Sequence, residues 1–412
     1  MTIRATDSLV VSGVQLLDGR GPLDIGISDG RIGTLGVADG PGIDGTGCVL
    51  LPGLVDAHLH LDKAFLWDDP LVHGAIRGAA FAAFRERKAR SDREEIKGRM
   101  LRALRLASRH GVTAVRAQVD VDEIVGLTGI RAALELRTEC ADWMTLQVVA
   151  FPQEGLLSRP EVMPLLRSAL ADGTDAIGGG AMLDANIAPA EHLNVVFDLA
   201  REFDVDVDLH PDLASGADRP AADWELNDIA RLTRANGWEG RVTVAHLSGL
   251  GAMDADSARE LAKLLVDHGI SVVSVPGAEF HSASAWRSAP DYDVRGAITN
   301  VRLLLEAGVN LSMATGHVRD PLNPFGNANP LADLLVLLGA VSLGEPSIAG
   351  VSALDLITRA ARQALRLPSL SLNTGEPADL VLVEAAEPAA LPRGIEQVRC
   401  VLKAGRQVWP TN

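Results

Sequence analysis

Cysteine, tyrosine, lysine and long apolar runs are what this 412-residue chain has least of. Its three cysteines, Cys48, Cys140 and Cys400, lie far apart and form no CxxC pair. That excludes a disulfide framework and fits a reducing compartment. No window approaches about 18 uninterrupted apolar residues, so no membrane-spanning helix is expected. The opening residues, MTIRATDSLVVSGVQLLDG, lack a basic stretch followed by a continuous apolar one. No signal peptide is expected, and the expected location is the cytoplasm. Positive charge is scarce as well: 38 Lys and Arg face 54 Asp and Glu, a net charge of −16 with a pI near 5.1. Such a field repels phosphate, so neither nucleic acid nor an anionic membrane is the expected partner. The sequence contains no HExxH, no GxSxG elbow, no GxxxxGK[ST] loop and no HxE…PCxxC pattern. Zincin, α/β-hydrolase, P-loop and cytidine-deaminase-type chemistries are thereby set aside. No GxGxxG follows a first strand, which argues against a nicotinamide enzyme.

What is present is a chain rich enough in apolar residues, at 47%, to bury a large core. Residues 1–50 read as short strands with turns at Asp18-Gly19 and Asp29-Gly30, the second a hairpin signal. Residues 378–410 read the same way (ADLVLVEA, VRCVLKAG, RQVW). Neither piece buries a face alone, so residues 1–50 and 366–412 are expected to form one composite β-sandwich. Between them, residues 51–365 alternate β-rich runs with Ala/Leu/Arg-rich helical stretches. The runs are 51–60, 113–120, 145–151, 174–180, 205–210, 241–246, 270–276 and 309–316. Eight strand candidates alternating with helices predict a (β/α)8 barrel, whose chemistry sits at the C-terminal ends of its strands.

Those ends carry histidines. The first run ends in His58-Leu59-His60, and residues i and i+2 of a strand face the same way. Two imidazoles so placed suit one divalent cation. The fifth run ends at His210 and the sixth at His246. Four of the ten histidines thus stand at three strand ends, which weakens the alternative of scattered core histidines.

With these segments in order, the chain resembles the amidohydrolase superfamily, in its cytosine deaminase-like branch. The resemblance rests on LPGLVDAHLHLDKAF (51–65), FPQEGLL (151–157), VDVDLHPD (205–212), VTVAHLSGL (242–250), HVRDPLNPFGNANPL (317–331) and GEPADLVLV (375–383). It covers nearly the whole chain and implies a barrel holding one zinc or iron ion that hydrolyses a C–N bond of a small molecule. By position it implies His58, His60 and His210 as metal ligands, Gln153 as substrate-binding and His246 as catalytic. No Lys ends the fourth run, so the two-metal version with a carboxylated lysine is not expected.

Two positions depart from the family pattern. The metal-contacting Asp after the eighth strand falls on Gly316, and the proton-shuttling Glu after the fifth falls on Leu213. Three readings stay open. Asp212 or His317 supplies the missing proton chemistry. Alternatively, the pocket binds a small heterocycle without hydrolysing it. In the third, the barrel performs elimination or isomerisation through His246 and His317. A homo-oligomer is expected.

Further residues carry paired readings. Lys63 orients an acidic substrate group or pairs with Asp62. Gln118 and Asp120 line the mouth, or Asp120 caps a helix or anchors a loop. Asp320 anchors its loop through Arg319 or backbone amides. Gly178-Gly179-Gly180 allows close packing. Trp286 and Phe280 stack on a planar substrate or cover the mouth, and His281 faces solvent.

Overall fold

A computed structural model describes residues 8–73, 78–184, 186–211, 224–251, 253–286, 298–341, 347–348, 351–385, 387, 391 and 397–410, with the backbone alone at 78–81, 282–286, 347–348 and 351. Strands from both ends of the chain share one β-structure. Leu9–Leu16 runs antiparallel to Leu23–Ser28, which turns through Asp29-Gly30, both at positive φ, into Arg31–Gly36. The first half of Leu9–Leu16 lies beside Gly42–Asp44 and its second half beside Cys48–Pro52, with an irregularity between Val11 and Val14. One strand therefore serves two sheets. The C-terminal strands Leu380–Glu384, Val398–Lys403 and Arg406–Trp409 extend the second sheet from Cys48–Pro52. Val11, Val14, Ile25, Leu50, Leu380 and Leu402 belong to the small apolar core that these strands enclose.

The run at 51–60, read as one strand, is two. Cys48–Pro52 belongs to the outer sheet and Leu54–His60 to the barrel. Gly53 divides them: its backbone N–H donates to Asp379 at 2.8 Å, and a Cβ there would overlap the Thr113 side chain.

Leu54–His60 opens a parallel eight-stranded barrel. The others follow in chain order: Val112–Asp120, Thr145–Phe151, Ala176–Gly179, Asp206–Leu209, Val242–Ala245, Ser271–Ser274 and Leu311–Met313. Each pairs with the next. The ring closes just beyond the eighth strand, where Gly316 bridges Leu59: its carbonyl accepts from His60 N–H at 2.8 Å and its N–H donates to the His58 carbonyl at 3.0 Å. The helix Arg359–Ala364 packs under the barrel, and Ala361 and Leu365 share an apolar cluster with Val55, Ala57, Ala114 and Ala245. Among the described residues no helix is long and apolar enough to cross a membrane.

One local feature aims the histidines. Asp56 pairs with Val115 and Leu59 with Ala117, so the first strand carries one extra residue between these pairs. This bulge shifts the facing of everything after it. Asp56 bonds Thr315 instead of joining His58 and His60 in the interior.

Candidate metal centre and active site

His58, His60 and His210 converge at the barrel mouth, all buried, with ring nitrogens within 4.8 Å of one another. The Nε2 atoms of His60 and His210 lie 3.3 Å apart. Two ligands on a tetrahedral ion with metal–nitrogen bonds of about 2.05 Å stand about 3.3 Å apart, so the spacing suits a cation between them. Nε2 of His58 is buried without a hydrogen-bond partner, as a nitrogen kept for a cation would be. Burial, then nearby charge, holds His60 and His210 well below the ordinary histidine range. Both are neutral at pH 7 and keep a lone pair to offer. The donor set fits one zinc-like or iron-like divalent ion. Among the described residues this is the single such group.

Two more imidazoles complete the cluster. His246 follows the sixth strand at φ 61°. Its ring centroid lies 5.5 Å from those of both His58 and His210, and burial holds it neutral too. Its Nδ1 is 3.9 Å from Oε1 of Glu279. Glu279 is a buried carboxyl held by Val275 N–H, Thr299 N–H and the Thr299 hydroxyl, each at 2.9 Å. Burial raises its pKa. His317 stacks on His60 with centroids 4.6 Å apart and planes 8° from parallel. Its Nδ1 donates to Oδ2 of Asp320 at 2.7 Å, which leaves Nε2 as the nitrogen turned away from that carboxylate. Asp320 is indeed a loop anchor, accepting from the amides of Leu322 and Asn323 at 2.8 and 3.1 Å. Arg319 is not its partner, since it pairs with Asp68 at 2.5 Å.

Gly316 offers no carboxylate and has no room for one. Its φ is +69°, and a Cβ there would overlap Cγ1 of Val275. Asp212 and Leu213 lie outside the described residues.

Lys63 is buried, and its ammonium reaches Asp120 at 2.6 Å, His60 Nδ1 at 3.3 Å and Asp62 at 3.5 Å. Asp120 caps no helix. It bridges Lys63 and Lys88, which lies 2.7 Å from its other oxygen and also reaches Asp122 at 2.5 Å and Glu154 at 3.4 Å. Burial alone would lower both lysines, but the aspartates outweigh it and raise them, so both stay charged. Lys88 was invisible in the sequence, because its partners lie 32 or more positions away.

Gln153, half-buried, sits on the turn after the third strand. Asp184 pins the rest of that turn, accepting from the amides of Leu156, Leu157 and Ser158 within 2.9 Å and from His192 at 2.6 Å. Cβ atoms at Gly178 and Gly179 would crowd Phe151 at 2.6 Å and His192 at 2.8 Å, so close packing is their role. Phe280 is partly buried against the main core. Trp286 ends the helix Pro276–Trp286, and its side chain lies outside the described residues. His281 does not face solvent: it is half-buried, within electrostatic reach of Asp320 and His317, because that helix packs toward the loop after the eighth strand.

Asp208 was also overlooked, although VDVDLH signals it: Asp206, Asp208 and His210 alternate onto one face. It accepts from Gln118 at 3.1 Å and lies 3.5 Å from His58 Nδ1.

Comparison with known proteins agrees with this geometry. The profile described as the amidohydrolase family matches residues 66–409. N-isopropylammelide isopropyl amidohydrolase of Pseudomonas sp. (strain ADP) is 29% identical over 376 residues, covering 88% of this chain and 87% of that protein. Pterin deaminase of Rhizobium rhizogenes is 26% identical, covering 87% and 80%. The crystal structure of 5-methylcytosine deaminase from Klebsiella pneumoniae with phosphonocytosine superposes with a TM-score of 0.86 at 27% identity, covering 98% of each chain.

Proposed function

Because the chain belongs to the amidohydrolase family, we propose that it hydrolyses a C–N bond of a small cyclic or aryl amine or amide. The preferred substrate is an amino-substituted nitrogen heterocycle. The observation that carries the reading is the convergence of His58, His60 and His210 on one point at the barrel mouth. The relatives' names add the substrate class: an ammelide, a pterin and a methylcytosine are all nitrogen-rich rings.

His58, His60 and His210 would hold a divalent ion, which when bound would lower the pKa of a water from 15.7 to about 7 and so supply a nucleophile at neutral pH. The chain's own residues do the rest. Gln153 orients the ring through its amide. His246, neutral and backed by Glu279, faces the reacting carbon and holds the developing oxyanion or leaving group. His317 moves the proton. Asp320 fixes its Nδ1–H, so Nε2 accepts the proton from water and returns it to the departing nitrogen. This dyad stands in for the carboxylate that Gly316 lacks. Lys63, paired with Asp120 and Asp62 beside His60, steadies the site from within.

One observation favours a second reading. With Val275 filling the space at Gly316, the pocket has no acid there and no room for one, as expected of a protein that binds a heterocycle without cleaving it.

Metal analysis together with an ammonia-release screen over pyrimidines, triazines and pterins separates the two. Hydrolysis predicts one metal per chain, lost in His60→Ala, and ammonia from at least one compound. His317→Asn then keeps the metal and loses about 10²–10⁴ in kcat. Full metal content with ligands that raise Tm and are recovered unchanged sustains the binding reading. An altered product that has neither gained water nor released ammonia or an amine indicates elimination or isomerisation. Stoichiometric metal in His60→Ala refutes the ligand assignment.

A further inference from the structure

Arginine is a costly residue to place inside a barrel, yet Arg116 is only 1% exposed. Its guanidinium donates to Gln147 at 2.9 Å and, at 3.4 Å each, to Asp206, Asp208 and Thr243. It thus sits between two aspartates that alternate along the fifth strand just below His210. Asp208, fully buried, is engaged by Arg116 through Oδ2. Its Oδ1 accepts from Gln118 and faces Nδ1 of His58. Gln118 presents its NH2 group, a donor, to the same Nδ1 at 3.2 Å; when Nδ1 itself carries the proton, Asp208 at 3.5 Å is the acceptor within its reach. An imidazole can give Nε2 to a cation only if Nδ1 carries the proton, and that proton needs an acceptor.

We propose that Arg116 and Asp208 are positioning residues for the cation site: Asp208 accepts the Nδ1 proton of His58, and Arg116 holds Asp208 in place to do so. The inference rests on the reading that His58, His60 and His210 bind a divalent cation. It explains why buried charge persists here, since an ion pair in a core adds little stability of its own. It also explains the spacing of VDVDLH, in which Asp206 and Asp208 flank the arginine and His210 joins the ring of ligands.

The test is zinc affinity, measured on the full-length chain by titration against a competing chelator, with cobalt absorption spectra alongside. Asp208→Asn, nearly isosteric, should weaken zinc binding about 10–100-fold and shift the cobalt bands. Arg116→Gln should weaken it by a similar factor, and Arg116→Lys should recover part of the loss. Asp206→Asn touches Arg116 but not His58, and should leave affinity and spectrum near wild type. If Asp208→Asn fails to fold, the arginine pair carries the result. Wild-type affinity in Asp208→Asn, or an equal loss in Asp206→Asn, overturns the positioning role while leaving the cation reading intact. A wild-type chain that binds no zinc or cobalt overturns both.

Discussion

Gly316 closes the barrel against Leu59 with backbone alone. A positive φ and the overlap with Val275 make the position doubly restrictive. Gly316→Ala should therefore cost about 1–3 kcal/mol, read by urea denaturation. Pairing it with Val275→Ala should not recover the full loss, because the backbone strain remains. Gly316→Asp should gain no activity. At this scale the sequence was legible wherever strand alternation applied: His58, His60, His210 and Asp208 all follow from period two. It was opaque wherever partners meet across strands. Glu279 behind His246, Lys88 under Asp120 and Asp320 behind His317 are pairings set by packing, and no spacing rule delivers the first two.

Elements are placed by a few buried carboxyls. The turn that carries Gln153 hangs on Asp184, whose pKa is held well below the usual carboxylate range despite burial by hydrogen bonds from His192 and Ser158. Asp184→Ala should cost on the order of 3 kcal/mol. It should also speed amide exchange at residues 156–158 and raise KM more than it lowers kcat. The helix Pro330–Ala340 carries the opposite case. Burial, aided by the charge of Asp56, pushes Asp333 up to about 8 from 3.8. The folded chain then keeps a proton that the unfolded chain releases above pH 4, so stability falls as pH rises from about 4 to 8. Asp333→Asn should remove that slope. Its Tm advantage over wild type should grow up to pH 8 and then level off, as measured by calorimetry from pH 5 to 9.

Across the whole molecule, the two ends of the chain meet. Cys48–Pro52 pairs with Leu380–Glu384 and leads through Gly53 straight into the strand bearing His58 and His60. Removing residues 397–412 should strip two strands from the outer sheet and expose the Cys48 side of its core. The truncated chain should lose soluble expression or unfold at least 10 °C lower. The barrel was legible in the alternation of apolar runs and helices. The split at Gly53 was not, because LPGLVDAHLH reads as one continuous apolar strand, and the Asp379 hydrogen bond and Thr113 approach that mark the break come from distant parts of the chain. The polar ladder through the barrel has a reach of its own. Arg366 and Arg241, on the underside, grip Asp206 at 2.8 and 3.1 Å, and Asp206 abuts Arg116. Arg116 is thereby braced from below while its other side reaches Asp208 beside His58, so a library confined to the loops around the mouth would pass by Arg116 and Asp208, the two positions under the cation site.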